Sequence, residues 1–222
     1  MKYLLSSAAF IFGIVLVAMA QTTRETQEGL TPEAVVERLI EGNERFVQGQ
    51  SLARDSESAR EASAEGQYPK AFVLSCIDSR APVEKIFDQG IGDLFVGRVA
   101  GNVVNEDQLG SMEFATQVAG TKVIFVLGHT QCGAIKGAQA EVEMGNLTQL
   151  VEKVQPAIEA VGRGEGEDSL LEQVTRKHIL LTIEAIRENS EILAGLEEDG
   201  SLLIVGGLYD LASGEVSLLS NQ

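Results

Sequence analysis

Four short apolar runs, Ala71-Phe-Val-Leu-Ser-Cys76, Leu94-Phe-Val-Gly97, Val123-Ile-Phe-Val-Leu127 and Leu202-Leu-Ile-Val205, are separated by stretches of helical pattern. A run with no polar face cannot lie with one side in water, so each reads as a strand buried on both faces. Strands alternating with helices build a mostly parallel sheet covered on both sides. The fourth run continues through Gly206-Gly207-Leu208-Tyr209, and Ala212-Ser213-Gly214 turns the chain into an edge strand over 215–219. The expectation is therefore an α/β fold: a mostly parallel central sheet of four strands plus an antiparallel edge strand, helices on both faces, and an N-terminal helical arm.

Helical patterns fall at 82–87, 108–118, 133–140, 147–161 and 169–189, with Pro156 placed to kink or divide its helix. Thr31-Pro32-Glu33 combines a hydroxyl cap, Pro at the first helical position and an early acid. Val35, Val36, Leu39, Ile40 and Phe46 then share one helical face, so the arm is placed at about 31–66, its polar stretch 48–67 being a surface helix or connector. Gly162 to Asp168 reads as an exposed loop. A chain of 222 residues suffices for one such domain and is thin for two.

Residues 1–20 stand apart. Lys2 precedes the apolar or small stretch Leu4–Met19, and Ala18-Met19-Ala20 has the small-x-small form of a signal peptidase site. The alternative is a retained anchor, but about 16 apolar residues fall short of the ~20 that span a bilayer. The mature domain is expected over 21–222, periplasmic or secreted, with no stable membrane association after cleavage. The formal charge of −16 repels phosphate backbones and anionic lipid, which argues against nucleic-acid partners.

The chemistry-bearing residues follow two of the strands. Cys76-Ile-Asp78-Ser-Arg80 follows the first run, and Gly128-His129-Thr-Gln-Cys132-Gly133 the third. In open parallel sheets, ligands bind beyond the carboxyl ends of the strands, so both segments face one crevice. Two thiolates and one imidazole suit zinc, and three protein ligands leave the fourth position open, the catalytic rather than the structural pattern. A helix start at Cys132 would favour its thiolate. Asp78 has two candidate roles, accepting a hydrogen bond beside the metal or ligating it, and Arg80 can hold its carboxylate bidentately. A Cys76–Cys132 disulfide in a non-enzymatic binding module is the competing reading for an exported chain.

Together the two motifs resemble the paired signature of β-class carbonic anhydrases, with support from Gly42-Asn-Glu-Arg-Phe46, Gly92-Asp93-Leu94-Phe95, Ala100-Gly101-Asn102 and Tyr209-Asp210. The resemblance implies one Zn2+ per subunit on Cys76, His129 and Cys132, with Asp78 and Arg80 as the catalytic pair. The reaction it implies is reversible hydration of carbon dioxide to bicarbonate by attack of zinc-bound hydroxide. It further implies a homodimer with sites at the interface, often paired into tetramers. The open-site subclass carries a Gln nine residues before the first Cys, which is Gln67 here. Phe95, Ala100, Phe114 and Gly133 are the remaining pocket positions; Ala100 stands where Val is common, and Phe114 where Tyr is usual. With no Trp in the chain, the other subclass's Trp-dependent bicarbonate site cannot form. A related zinc hydrolase acting on carbonyl sulfide or a similar heteroallene is the enzymatic alternative. His178 reads as an ordinary helix-face histidine rather than a proton relay.

Overall fold

The computed structural model describes residues 22–164 and 169–219. The sequence-based leader at 1–20 and most of the Gly162–Asp168 loop lie outside them.

Five strands form one sheet: β1 (Ala71–Ser75), β2 (Leu94–Arg98), β3 (Val123–His129), β4 (Leu203–Tyr209) and β5 (Val216–Leu219). Their order is β2-β1-β3-β4-β5, with β5 alone antiparallel. The fold class is as expected. The burial of β2 is not: its residues are only half buried, because it lies at the sheet edge beyond β1. An apolar run signals a strand without telling an edge from a centre. The third run extends two residues further than expected, so His129 is the last residue of β3 instead of the loop after it.

Alternation along the strands explains their uniform burial. Val123, Phe125 and Leu127 of β3 face one core with Val73, Val35, Leu39 and Phe87. Ile124 and Val126 face the other with Leu74, Ile179, Ile183 and Ile186. The first core is covered by α2 (Pro32–Val47), capped by Thr31 as its sequence predicts, and by α4 (Val83–Ile86). The second lies under α5 (Glu106–Glu113), α9 (Leu170–Asn189) and α10 (Glu191–Glu198). Between them in sequence run α6 (Gly133–Gln139), α7 (Gly145–Glu152) and α8 (Gln155–Val161).

Several boundaries differ from the periodicity reading. The 147–161 pattern is two helices, with Pro156 in the first turn of the second, where its missing N–H has no intrahelical partner to lose. Glu106–Glu113 passes into a π turn over Phe114–Val118. Short helices α1 (Arg24–Glu28) and α3 (Ser56–Ser63) flank α2, and neither α1 nor α10 is among the helices that the periodicity predicts.

Polar clamps hold the arm to the sheet. Asp88, 3% exposed, accepts from Arg45 Nε of α2 at 2.7 Å and from Arg54 Nη1 at 2.5 Å. Buried Asn43 donates to the Ile86 and Gly214 carbonyls and accepts from Val216 N–H. At Gly42 an added Cβ would lie 1.9 Å from the Phe87 carbonyl oxygen, so α2 meets the end of α4 backbone to backbone.

Candidate metal centre

β1 and β3 are neighbours, yet their connections leave to opposite sides of the sheet, because β2 lies beyond β1 and β4 beyond β3. The crevice between their carboxyl ends is the usual place for a ligand in such a sheet. Cys76 leaves β1 there, and His129 ends β3. Gln131 takes a left-handed φ of 57°, reversing the chain so that Cys132 turns back toward His129 before α6 begins. The turn is fastened to β4: Thr130 N–H donates to the Tyr209 carbonyl, and Thr130 Oγ1 accepts from Leu211 N–H.

The ligand atoms of Cys76, His129 and Cys132 lie within 4.8 Å of one another, and all three residues are buried. Both cysteines are free thiols. The tautomer of His129 follows from its neighbours: Nδ1 lies 2.9 Å from the Thr130 carbonyl, which can only accept, so Nδ1 carries the proton. Nε2 is buried with no hydrogen-bond partner, its lone pair turned toward the sulfurs. An orphaned imidazole nitrogen beside two thiols, oriented through its other nitrogen, has the form of a metal ligand.

The electrostatics favour a cation. The Cys76 thiol is held well below its usual range, chiefly by the hydrogen bond from Cys132 and also by the Gly101 N–H, 3.3 Å from its sulfur. Cys132 is pushed up by the same contact and by burial, which outweigh the Ala134 and Ile135 N–H groups at the start of α6. The helix start does favour the Cys132 thiolate as expected, through those N–H groups, but in the paired thiols the contact with Cys76 and burial outweigh it. At His129 burial opposes a positive charge, but the nearby Cys76 sulfur and Asp78 overcome it and raise its pKa.

Asp78 sits beside the cluster, engaged on both oxygens by Arg80. Oδ1 accepts from the Arg80 backbone N–H and Nε, each at 2.9 Å, and Oδ2 accepts from Nη2 at 2.7 Å. This pairing holds the carboxyl well below the usual carboxylate range. Oδ2 is 3.8 Å from His129 Nε2.

The remaining sequence-predicted residues are spread more widely. Ala100 belongs to the turn Ala100–Asn102 beside Cys76, and Gly133 is the exposed first residue of α6, with open space where a Cβ would be. Phe95 and Phe114 pack edge to face, 6.2 Å between centroids, and line a cleft of about 700 Å3 along β2 with Arg98 and Gln108. Gln67 is exposed in the connector before β1, at the opposite end of the sheet from the cluster.

One residue beside the site, Arg98, escapes the sequence reading, and His178 reads there only as an ordinary helix-face histidine. Arg98 donates to the Cys76 and Asp78 carbonyls and so fixes the loop between them. His178 is buried, bonded to the Gly101 carbonyl. Arg98 follows the visible β2 run, but nothing in its spacing signals the bond. Gly101 was visible only as part of Ala-Gly-Asn.

The family model described as carbonic anhydrase matches residues 71–216. Carbonic anhydrase 2 of Mycobacterium tuberculosis is 39% identical over 193 residues, covering 84% of this chain and 92% of that protein. The carbonic anhydrase of Mycolicibacterium smegmatis is 39% identical over 196 residues, covering 86% and 94%. The solved β-carbonic anhydrase CcaA superposes with a TM-score of 0.66 at 26% identity, covering 84% of this chain and 95% of that one.

Proposed function

Because the chain belongs to the carbonic anhydrase family, and to its β class, we propose that the Cys76–His129–Cys132 cluster is the centre at which it hydrates carbon dioxide reversibly to bicarbonate. The observation that carries the residue assignment is the orphaned Nε2 of His129 facing two buried sulfurs. Zinc held there supplies a Lewis acid that lowers the pKa of a water toward neutrality; this chemistry is generally illustrated by carbonic anhydrases themselves.

The chain's own groups do the rest. Asp78, with both oxygens drawn toward Arg80, cannot turn freely, and it stays ionised because Arg80 holds its pKa down. It accepts a hydrogen bond from the attacking water and keeps a lone pair aimed at the substrate carbon. Arg98 keeps the Cys76–Asp78 loop from drifting. The open-site subclass is our reading: the bidentate Arg80 contact that must break for Asp78 to ligate metal is intact, and Gln67 stands at the subclass position.

Gln67 cannot serve its own chain's centre. Pro69 is pinned at the amino end of β1, its carbonyl accepting from Gln27 and Thr121. Cys76 lies seven residues beyond Pro69, about 23 Å along the extended chain; two residues reach back about 7 Å and the glutamine side chain about 5 Å, leaving Gln67 roughly 11 Å short. A substrate role for Gln67 therefore needs a second copy of the chain, which supports a homodimer. Half-exposed Phe114, in the wall of the β2 cleft, and 71%-exposed Val118, at the end of the same π turn, are the apolar surface such a copy would cover. Export through residues 1–20, with the mature chain beginning at Gln21, completes the proposal and is read from N-terminal sequencing of the extracytoplasmic protein.

Stopped-flow hydration of carbon dioxide by the zinc-loaded chain tests the reading. Turnover already rapid near about pH 7 supports the open site, whereas activity only above about pH 8 would place Asp78 on the metal. Asp78→Asn is expected to keep zinc and fold while lowering kcat by about 100-fold or more. An unchanged kcat removes Asp78 from the mechanism.

A further inference from the structure

His178 lies on α9, outside the ligand set, at 4% exposure. Its Nε2 is 2.8 Å from the Gly101 carbonyl oxygen. A carbonyl can only accept, so Nε2 carries the proton and donates. Burial lowers the pKa of His178, with the Gly101 bond opposing, which keeps the ring neutral and its donor fixed.

Gly101 is the residue whose N–H reaches Cys76 Sγ at 3.3 Å. It sits at φ 69°, where a side chain would be strained, and an added Cβ would lie 3.1 Å from the Ala134 methyl. The turn is tied on one side by Asn102 N–H to the Val99 carbonyl and Val99 N–H to the Ser75 carbonyl. On the other side its tie is His178. The carbonyl and the N–H of Gly101 belong to different peptide planes, so His178 does not polarise the donor; it fixes where the donor sits.

From this the geometry points to His178 as a positioning residue for the metal centre: through the Gly101 carbonyl it holds the Gly101 N–H on the Cys76 sulfur and so tunes a thiolate ligand from the far side of the turn. A hydrogen bond to a thiolate withdraws electron density from it, and partners of this kind orient ligands and set metal affinity. The inference rests on zinc bound by Cys76, His129 and Cys132.

The test compares wild type, His178→Leu and His178→Gln, the last keeping a donor near the Nε2 position. Zinc affinity is measured by competition with a chelator, and the thiolate-to-metal charge-transfer band is recorded on the cobalt-substituted proteins. His178→Leu is expected to weaken zinc about 10- to 100-fold and to shift the band, while His178→Gln restores both. Affinity and band unchanged in a folded His178→Leu overturn the inference alone. A wild-type protein that takes up no zinc overturns the metal reading beneath it. If His178→Leu does not fold, His178→Phe, which keeps a planar ring and removes the donor, takes its place: weakened zinc and a shifted band that His178→Gln restores support the inference, and wild-type values in His178→Phe overturn it.

Discussion

Gly128→Ala is a one-carbon test of how α9 is seated against the strand that ends in His129. Gly128 has ordinary extended backbone within β3, so alanine meets no conformational penalty there and any cost is steric. The added Cβ would lie 2.6 Å from Ile179 Cδ1 and 2.8 Å from Cγ1, with Thr175 Cγ2 at 3.4 Å. Carbon atoms prefer about 3.5–4.0 Å, so the overlap is about 1 Å against two atoms at once. Rotating Cδ1 away leaves Cγ1 in place, and a β-branched side chain on a helix has little rotamer freedom. Gly206 leaves no room either, since its own Cβ position is 2.6 Å from Ile179 Cγ2. Helix and strand must therefore separate, at about 1–3 kcal/mol. Ile179→Ala alone should cost about 2–5 kcal/mol as a cavity mutation. In the double variant the new methyl occupies part of that cavity, so the combined loss should fall short of the sum by about 1–2 kcal/mol. Urea midpoints for the four proteins at saturating zinc, where the binding contribution cancels when affinities match, give the cycle. Additivity within about 0.5 kcal/mol would refute the contact argument.

Two further outcomes follow from the arm and the centre. Burial pushes the Asp88 carboxyl up, but Arg54 and Arg45 outweigh it and its pKa is lowered. Its folded pKa thus lies below the unfolded ~3.9, so its stabilisation is full above about pH 5 and is lost as pH falls through the folded value. Asp88→Asn should cost about 2–3 kcal/mol near neutrality, less than a fully buried pair because both guanidiniums are about a quarter exposed. It should also flatten the acid limb of stability against pH, and an acid limb of wild-type slope would refute the assignment. Removing zinc with a chelator should release Cys76 and Cys132 to thiol reagents together and lower the melting temperature; thiols equally reactive with zinc bound would exclude them as ligands.

The sheet was legible because β1 and β3 supply side chains to two cores at once, leaving a continuous apolar run where a half-exposed strand would alternate. Cys76, His129 and Cys132 were legible for a related reason: the strand ends fix where their segments converge. What escaped was set by partners distant in sequence. Asp88 meets Arg45 and Arg54 only after α2 has docked. His178 looks like any helical histidine until the Ala100–Asn102 turn is laid against it. The edge position of β2 depends on which strands pair, and the mutual contact of the two cysteines appears only once β1 and the turn before α6 are brought together.

The parallel pairing of β1 with β3 places Ser75 opposite Leu127, and from that alignment Cys76 and His129 arrive at one point. A slip of one residue would carry His129 about 3.3 Å along the sheet and turn its imidazole to the opposite face. Apolar runs as uniform as Ala71–Leu74 and Val123–Leu127 do not by themselves forbid such a slip, but the Gly128 position against Ile179 does, since a Cβ there would lie 2.6 Å from Ile179 Cδ1. The three donors do not tolerate it. The one alignment that packs α9 is therefore also the one that brings a thiol, an imidazole and a second thiol within 4.8 Å of one another, so the register that seats the helix also builds the centre.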